Sequence, residues 1–150
     1  NEHQRYAAGK DKIFIDYKGW RICPLVCYDL RFPVFSRNRY NSTRANAYDY
    51  DLLIYVANWP SARHFAWQTL LKARAIENLS YVVGVNRVGS DGNQLSYSGG
   101  STVLDFMGQT IVESGSAASL QSASISHAEL SAFRERFPAH LDADDFSIRD

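Results

Sequence analysis

The sequence predicts a layered α/β fold, and three observations carry that reading. Apolar runs of strand length alternate with a stretch of uninterrupted helix-forming residues. One of those runs, LLIYVA at residues 52–57, has no polar break, the pattern of a strand covered on both faces. The order strand, helix, strand, followed by hairpins, places helices over the faces of a sheet. With 150 residues the chain is long enough for one domain that buries roughly 70% of its unfolded surface.

Each element has its own signal. Residues 12–17 (KIFIDY) read as a strand, Lys18-Gly19 as a turn, and residues 20–26 as a second, more buried strand. A helix is expected over 33–47, weakened in its middle by Asn41-Ser42-Thr43. The run at 52–57 closes on Asn58-Trp59-Pro60, after which Ser61 is expected to cap a helix running from about Ala62 to Asn78. Residues 81–85 form another buried strand, and 89–93 (GSDGN) a loop. A hairpin follows, with strands at 101–105 and 109–113 around Met107-Gly108. The last strand is expected at 120–125, a short amphipathic helix at 127–136, and a loosely packed acidic tail at 138–150. No internal repeat and no low-complexity segment interrupts this order.

Composition excludes several classes of function. Charged residues are 21% of the chain and sum to a formal net charge of zero, so no field attracts nucleic acid or an anionic membrane. No apolar run approaches the ~18 residues that a membrane span needs, and Asn1-Glu2-His3-Gln4-Arg5 is not a signal peptide. The first residue is not methionine, so the chain is expected to begin inside something larger. Both cysteines lie on one strand, four positions apart, which separates their Cα atoms by ~13 Å and rules out a disulfide between them. A reduced, cytoplasmic setting follows, in which the sequons at Asn41 and Asn78 are chance matches.

Chemistry concentrates in RICPLVCYDLRFP, residues 21–33. Cys27 finishes the apolar run, and Tyr28, Asp29 and Arg31 follow at once. Two readings stand side by side: a small buried residue, as most free cysteines are, or a nucleophile. A strand-to-helix elbow presents its side chain at the sheet edge, and the N–H just after it can serve an oxyanion. Cys23 has none of this context and reads as core. Asn58 ends another buried strand, and sites in such folds form where strands end, so a site shared with Cys27 is plausible. The four histidines are scattered, no Cys/His pair has metal-ligand spacing, and three residues between the cysteines exclude a CxxC redox pair. A cysteine–histidine dyad with His64 stays open, although a polar residue near a helix start accounts for His64 equally well.

These residues resemble a known family. RICPLVCYDLRFP is similar to the nucleophile region of the carbon–nitrogen hydrolase (nitrilase) superfamily. EHQRYAAG, DLLIYVANWP, KARAIENLSYVVGVNRVG and GGSTVLDFMGQTI resemble further segments of it in family order, from about Glu2 to Glu113. The small ω-amidase branch, acting on ω-amides of 2-oxo acids, matches best. The resemblance implies a four-layer α-β-β-α sandwich, present here only as its C-terminal portion. It implies a Glu–Lys–Cys catalytic set without a cofactor, a small-molecule amide as substrate, and a homodimer. Cys27 matches the nucleophile, Glu2 a second, supporting glutamate, and Tyr28 the residue whose N–H serves the oxyanion. Asn58 and Trp59 would line the substrate pocket. The general-base glutamate and the oxyanion lysine precede the Glu2 segment in the family, where this chain has only Asn1, so the 150 residues alone are expected to be nearly inactive.

Three further residues carry two readings each. Arg31 would grip a substrate carboxylate bidentately, or join a structural ion pair with Asp29 or Glu77. Glu77 is expected to be structural, paired with a cation. Trp59 is a pocket wall or plain packing. A non-catalytic binding or assembly module with the same fold is the alternative of a different class.

Overall fold

The computed structural model describes residues 4–7, 9 and 11–144. Its centre is a six-stranded sheet. Strand β1 (Ile15–Tyr17) pairs antiparallel with β2 (Trp20–Val26), across a turn in which Lys18 and Gly19 both have positive φ, 49° and 82°. That pair of left-handed residues matches the twist of the flanking strands. Strands β2, β3 (Leu52–Ala57) and β4 (Tyr81–Asn86) run parallel in adjacent positions. Beside β4 lies the antiparallel hairpin of β7 (Thr102–Leu104) and β8 (Thr110–Glu113), giving the order β1-β2-β3-β4-β7-β8. A separate two-stranded ribbon, β5 (Val88–Ser90) with β6 (Ser96–Ser98), rises from the end of β4. The helices are a single turn α1 (Pro33–Ser36), the long α2 (His64–Asn78) and α3 (His127–Arg136). Among the described residues no helix is long and apolar enough to cross a membrane.

The two faces of the sheet are treated differently. On the first, Cys23, Leu25, Leu53, Tyr55, Val82 and Leu104 pack against Trp67, Leu71 and Ala75 of α2 in one continuous core. Gly84 permits this approach: a Cβ there would lie 2.5 Å from Leu71 Cδ1 and 2.9 Å from Trp67 Cζ2. On the second face, Leu52, Tyr81, Phe106 and Leu130 form a smaller cluster beneath α3. It covers only the end of the sheet where the parallel strands begin. Toward their C-terminal ends the same face is bare, with Val26, Val56 and Val85 exposed by 61%, 49% and 46%.

Several expectations are corrected. The first strand begins at Ile15 rather than at residue 12, because Lys12 is drawn away: its Nζ donates to Arg37 O at 2.7 Å and meets Asp49 at 3.4 Å. The helix expected over 33–47 stops at Ser36. Beyond it polar side chains capture the backbone: Asn38 Nδ2 donates to the carbonyls of Tyr50 and Asn78, and Asn41 Oδ1 accepts from Thr43 N. Ser61 caps nothing. A 3-10 turn, Ser61–Arg63, intervenes after Pro60, and Arg63 is the cap residue of α2, which ends on Leu79 in a left-handed conformation. Residues 89–93 are not a free loop, since Ser90 closes β5 and Asp91 ties the ribbon tip through Asn93 N and Leu95 N. No strand forms at 120–125, where Leu120 is 97% exposed and the Ser/Ala-rich segment has no ladder partner. The start of the tail is docked rather than loose: Ala139–Asp142 forms a 3-10 turn, and His140 Nδ1 lies 2.6 Å from Tyr48 Oη.

Gly84→Ala tests the close contact of α2 with the sheet. The added methyl must displace Leu71 and the stiff Trp67 ring, which costs about 1–3 kcal/mol, read as a lower urea midpoint with unchanged slope.

Candidate active site

The three parallel strands end side by side, with Val26 paired to Val56 and Ala57 to Asn86. Cys27, Asn58 and Arg87 therefore follow one another along a single ledge at the C-terminal edge of the sheet, the position where α/β folds build sites. Cys27 leaves β2 with φ +43° and opens a 3-10 turn, Cys27–Arg31. A left-handed conformation is costly for a residue with a Cβ, and such strain clusters at functional positions. The turn is held at both ends. Val26 N donates to Asp29 Oδ2 at 2.9 Å, closing the bend, and Leu30 is fully buried in the main core. Cys27 itself is half-buried against that core, while Val26 and Tyr28 on either side are exposed. The Tyr28 N–H lies at the start of the turn, where the first amides of a helix have no acceptor within it.

Cys23, four residues earlier, has the opposite surroundings. It is completely buried, and burial pushes its thiol up to about 11, so it stays protonated and apolar in the core as the sequence indicates.

Asn58 is exposed on the ledge, and Trp59 turns inward to 3% exposure. A residue that sequence reasoning missed holds this loop. The buried Asn86 accepts from Trp59 N at 2.7 Å and donates to Trp59 O at 3.0 Å and Gly99 O at 2.8 Å. The indole Nε1 of Trp59 donates to Arg63 O at 2.8 Å, and its ring supports the Arg31 guanidinium at 5.0 Å. Arg31 therefore rests on an aromatic face. Neither structural ion pair expected for it is formed: Asp29 is engaged by Val26, and Glu77 pairs with Arg74 at 2.9 Å. Glu77 is thus paired with a cation, as expected, and Trp59 is packed with its ring against Arg31.

Two more residues on the ledge went unread. Arg87 N donates to Ala57 O, and its guanidinium lies 4.5 Å over the ring of Tyr97, whose hydroxyl donates to Asp91 at 3.0 Å. The Tyr97 hydroxyl is held above its ordinary pKa, first by desolvation and then by its hydrogen bond to Asp91. Their signal was the Asn-Arg pair ending β4, a polar stop like Asn58. His64 is engaged elsewhere, with Nδ1 3.3 Å from Ser98 Oγ and its ring against Gly100. Among the described residues no hydrogen bond joins it to Cys27. Glu2 lies outside the described residues.

A parallel sheet whose strands end side by side, one of them running through a left-handed residue into a helical turn, defines an α/β protein with its candidate site at the strand ends. The particular family is clear from comparison with known proteins. The chain belongs to the carbon–nitrogen hydrolase family, whose model matches residues 1–135. It is 54% identical over 149 residues to omega-amidase YafV of Yersinia enterocolitica, covering 98% of this chain and 55% of that protein. Against 2-oxoglutaramate amidase of Bacillus subtilis the identity is 32% over 142 residues, covering 95% of this chain and 52% of the relative. The crystal structure of XC1258 from Xanthomonas campestris, a CN-hydrolase superfamily protein with an arsenic adduct in its active site, superposes with a TM-score of 0.95. Its identity is 57%, covering 99% of this chain and 56% of that one. The chain spans about half the length of the curated relatives it matches.

The left-handed conformation makes a prediction about stability. Cys27→Gly removes the Cβ that strains the elbow, whereas Cys27→Ala keeps it, so the glycine variant is more stable by about 1 kcal/mol in paired urea titrations. Equal midpoints would mean that the elbow carries no strain.

Proposed function

We propose that these 150 residues are the C-terminal portion of a thiol amidase that hydrolyses a small carboxylate-bearing amide, an ω-amide of a 2-oxo acid, with release of ammonia. The observation that carries the reading is Cys27 itself, presented by a strained elbow at the strand ends in a chain of the carbon–nitrogen hydrolase family. The names of the relatives, omega-amidase and 2-oxoglutaramate amidase, point to the substrate class.

The chemistry explains the parts. An amide is a poor electrophile with a poor leaving group, and a thiolate divides its hydrolysis into two easier steps. A base takes the Cys27 proton, and sulfur attacks the amide carbon. The developing oxyanion is held by the Tyr28 N–H together with a cation. Collapse expels the amine, which takes up a proton and leaves as ammonia, and a thioester remains on Cys27. Water, deprotonated by the same base, releases the acid and restores the thiol. In the family pattern the base is a glutamate and the cation a lysine, both upstream of Glu2. Glu2 would orient the site or assist protonation of the leaving group.

Arg31 would read the far end of the substrate. It is exposed, stacked on Trp59 and without an ion-pair partner among the described residues, so its fork is available to a carboxylate. Asn58 would contact the substrate from the neighbouring strand end. A homodimer fits the outer side of α2, where Phe65 and Ile76 stand exposed. Two free cysteines fit a reducing, cytoplasmic setting.

In the full-length protein, Cys27→Ala abolishes ammonia release from 2-oxoglutaramate or 2-oxosuccinamate while circular dichroism stays native; retained turnover ends the proposal. Slow substrate quenched in acid leaves its acyl mass on residue 27. A Cys27 that iodoacetamide alkylates no faster than a model thiol favours the non-catalytic module instead. Arg31→Met raises KM for the 2-oxo acid amide roughly 10- to 100-fold and leaves a neutral amide of equal length almost unaffected.

A further inference from the structure

Behind the elbow, on the side away from the ledge, lies a buried cation that the mechanism above does not use. Arg74 is 3% exposed in the third turn of α2. Its Nη2 donates to Leu30 O at 2.6 Å, across 44 positions of sequence, and its Nη1 to Glu77 Oε1 at 2.9 Å. Leu30 is three residues past Cys27, in the last turn of the 3-10 segment, whose final carbonyls have no partner within the turn. We propose that Arg74 is a positioning residue for the thiol. Its guanidinium, fixed by Glu77, clamps the Leu30 carbonyl and thereby holds Cys27 and the Tyr28 N–H in the geometry that acyl transfer requires.

Three arguments support the assignment. A left-handed cysteine persists only where its surroundings over-determine it. The front of the elbow has one clamp, Val26 N to Asp29, and Arg74 supplies the second from behind. The guanidinium is also the right shape. Its two terminal nitrogens reach separate partners in a rigid fork, which the single ammonium of lysine does not reproduce. Finally, the arrangement is a poor device for stability alone. Arg74 Nε and the neighbouring Tyr55 hydroxyl are buried without a well-formed hydrogen bond. Tyr55 is pushed up to about 12, chiefly by burial, with Ser36 and Arg74 pulling the other way. Glu77 stays one-third exposed, so its pairing with Arg74 adds little stability of its own, and the guanidinium beneath the nucleophile points to geometry.

The inference rests on Cys27 being the nucleophile, and the test separates the two. In the full-length enzyme, Arg74→Met and Arg74→Lys are assayed for ammonia release per titratable thiol, for KM, and for inhibition by the aldehyde analogue of the substrate. That analogue captures the thiol as a hemithioacetal whose oxygen sits where the oxyanion forms. A displacement of the elbow by about 1 Å lowers kcat on the order of 100-fold. Arg74→Met is expected to lose that much in kcat with KM within about twofold, the aldehyde Ki rising in proportion, and Arg74→Lys to fall between. Unchanged kcat with a lowered Tm, or a loss confined to KM, overturns the proposal. If Arg74→Met does not fold, Arg74→Lys decides by the same readout; if neither folds, Arg74 serves folding alone and the proposal is withdrawn. A wild-type enzyme that releases no ammonia, or an active Cys27→Ala, refutes the underlying reading instead.

Discussion

A cysteine with φ +43° at the end of a core strand is a conformation that the chain does not adopt by local preference. It is imposed. Leu30 must enter the core, and the carboxylate of Asp29 must reach back to Val26 N, so the backbone between them turns within four residues. That constraint sets the rest of the site. Cys27 sits half-buried at its strand end, Tyr28 follows exposed, and the turn runs on toward Arg31 on its indole platform. On the order of 1–3 kcal/mol of strain is held in this one residue, and the packing behind it offsets the cost.

The ledge depends equally on alignment of three strands that meet from distant parts of the sequence. Parallel pairing puts their C-terminal ends on one side, and the buried Asn86 then fastens the β3 loop to β4 and to Gly99. A single amide side chain thus links the β3 loop, β4 and the segment at Gly99. Gly84, two residues earlier, lets α2 close on the same strands, which brings Arg74 within reach of the elbow.

Much of this was legible in the residues. The bounds of β2, β3 and α3 follow from an apolar run closed by a turn, an unbroken apolar hexamer, and a short amphipathic stretch. The place of Cys27 at a strand end and the core role of Cys23 were legible for the same reason. What failed depends on competition between local and distant partners. Residues 37–47 have tolerable helix propensity, but Asn38 is worth more bonded to Tyr50 and Asn78, a choice set by contacts 12 and 40 positions away. Residues 120–125 have apolar content enough for a strand and no neighbour to pair with. The β5–β6 ribbon was missed because Val-Gly-Ser and Ser-Tyr-Ser, three residues each, are too short to establish a period. At the site, the roles of Asn86 and Arg74 are invisible locally, since each acts on a segment far along the chain.

The bare end of the second sheet face has a further meaning. Val26, Val56 and Val85 stand in register across three strands, a ridge that water wets poorly. Any surface that settles on this ridge gains roughly 25 cal/mol for each Å² of apolar area it covers. A cover seated here therefore braces the strand end from which Cys27 departs, since Val26 is the residue just before it.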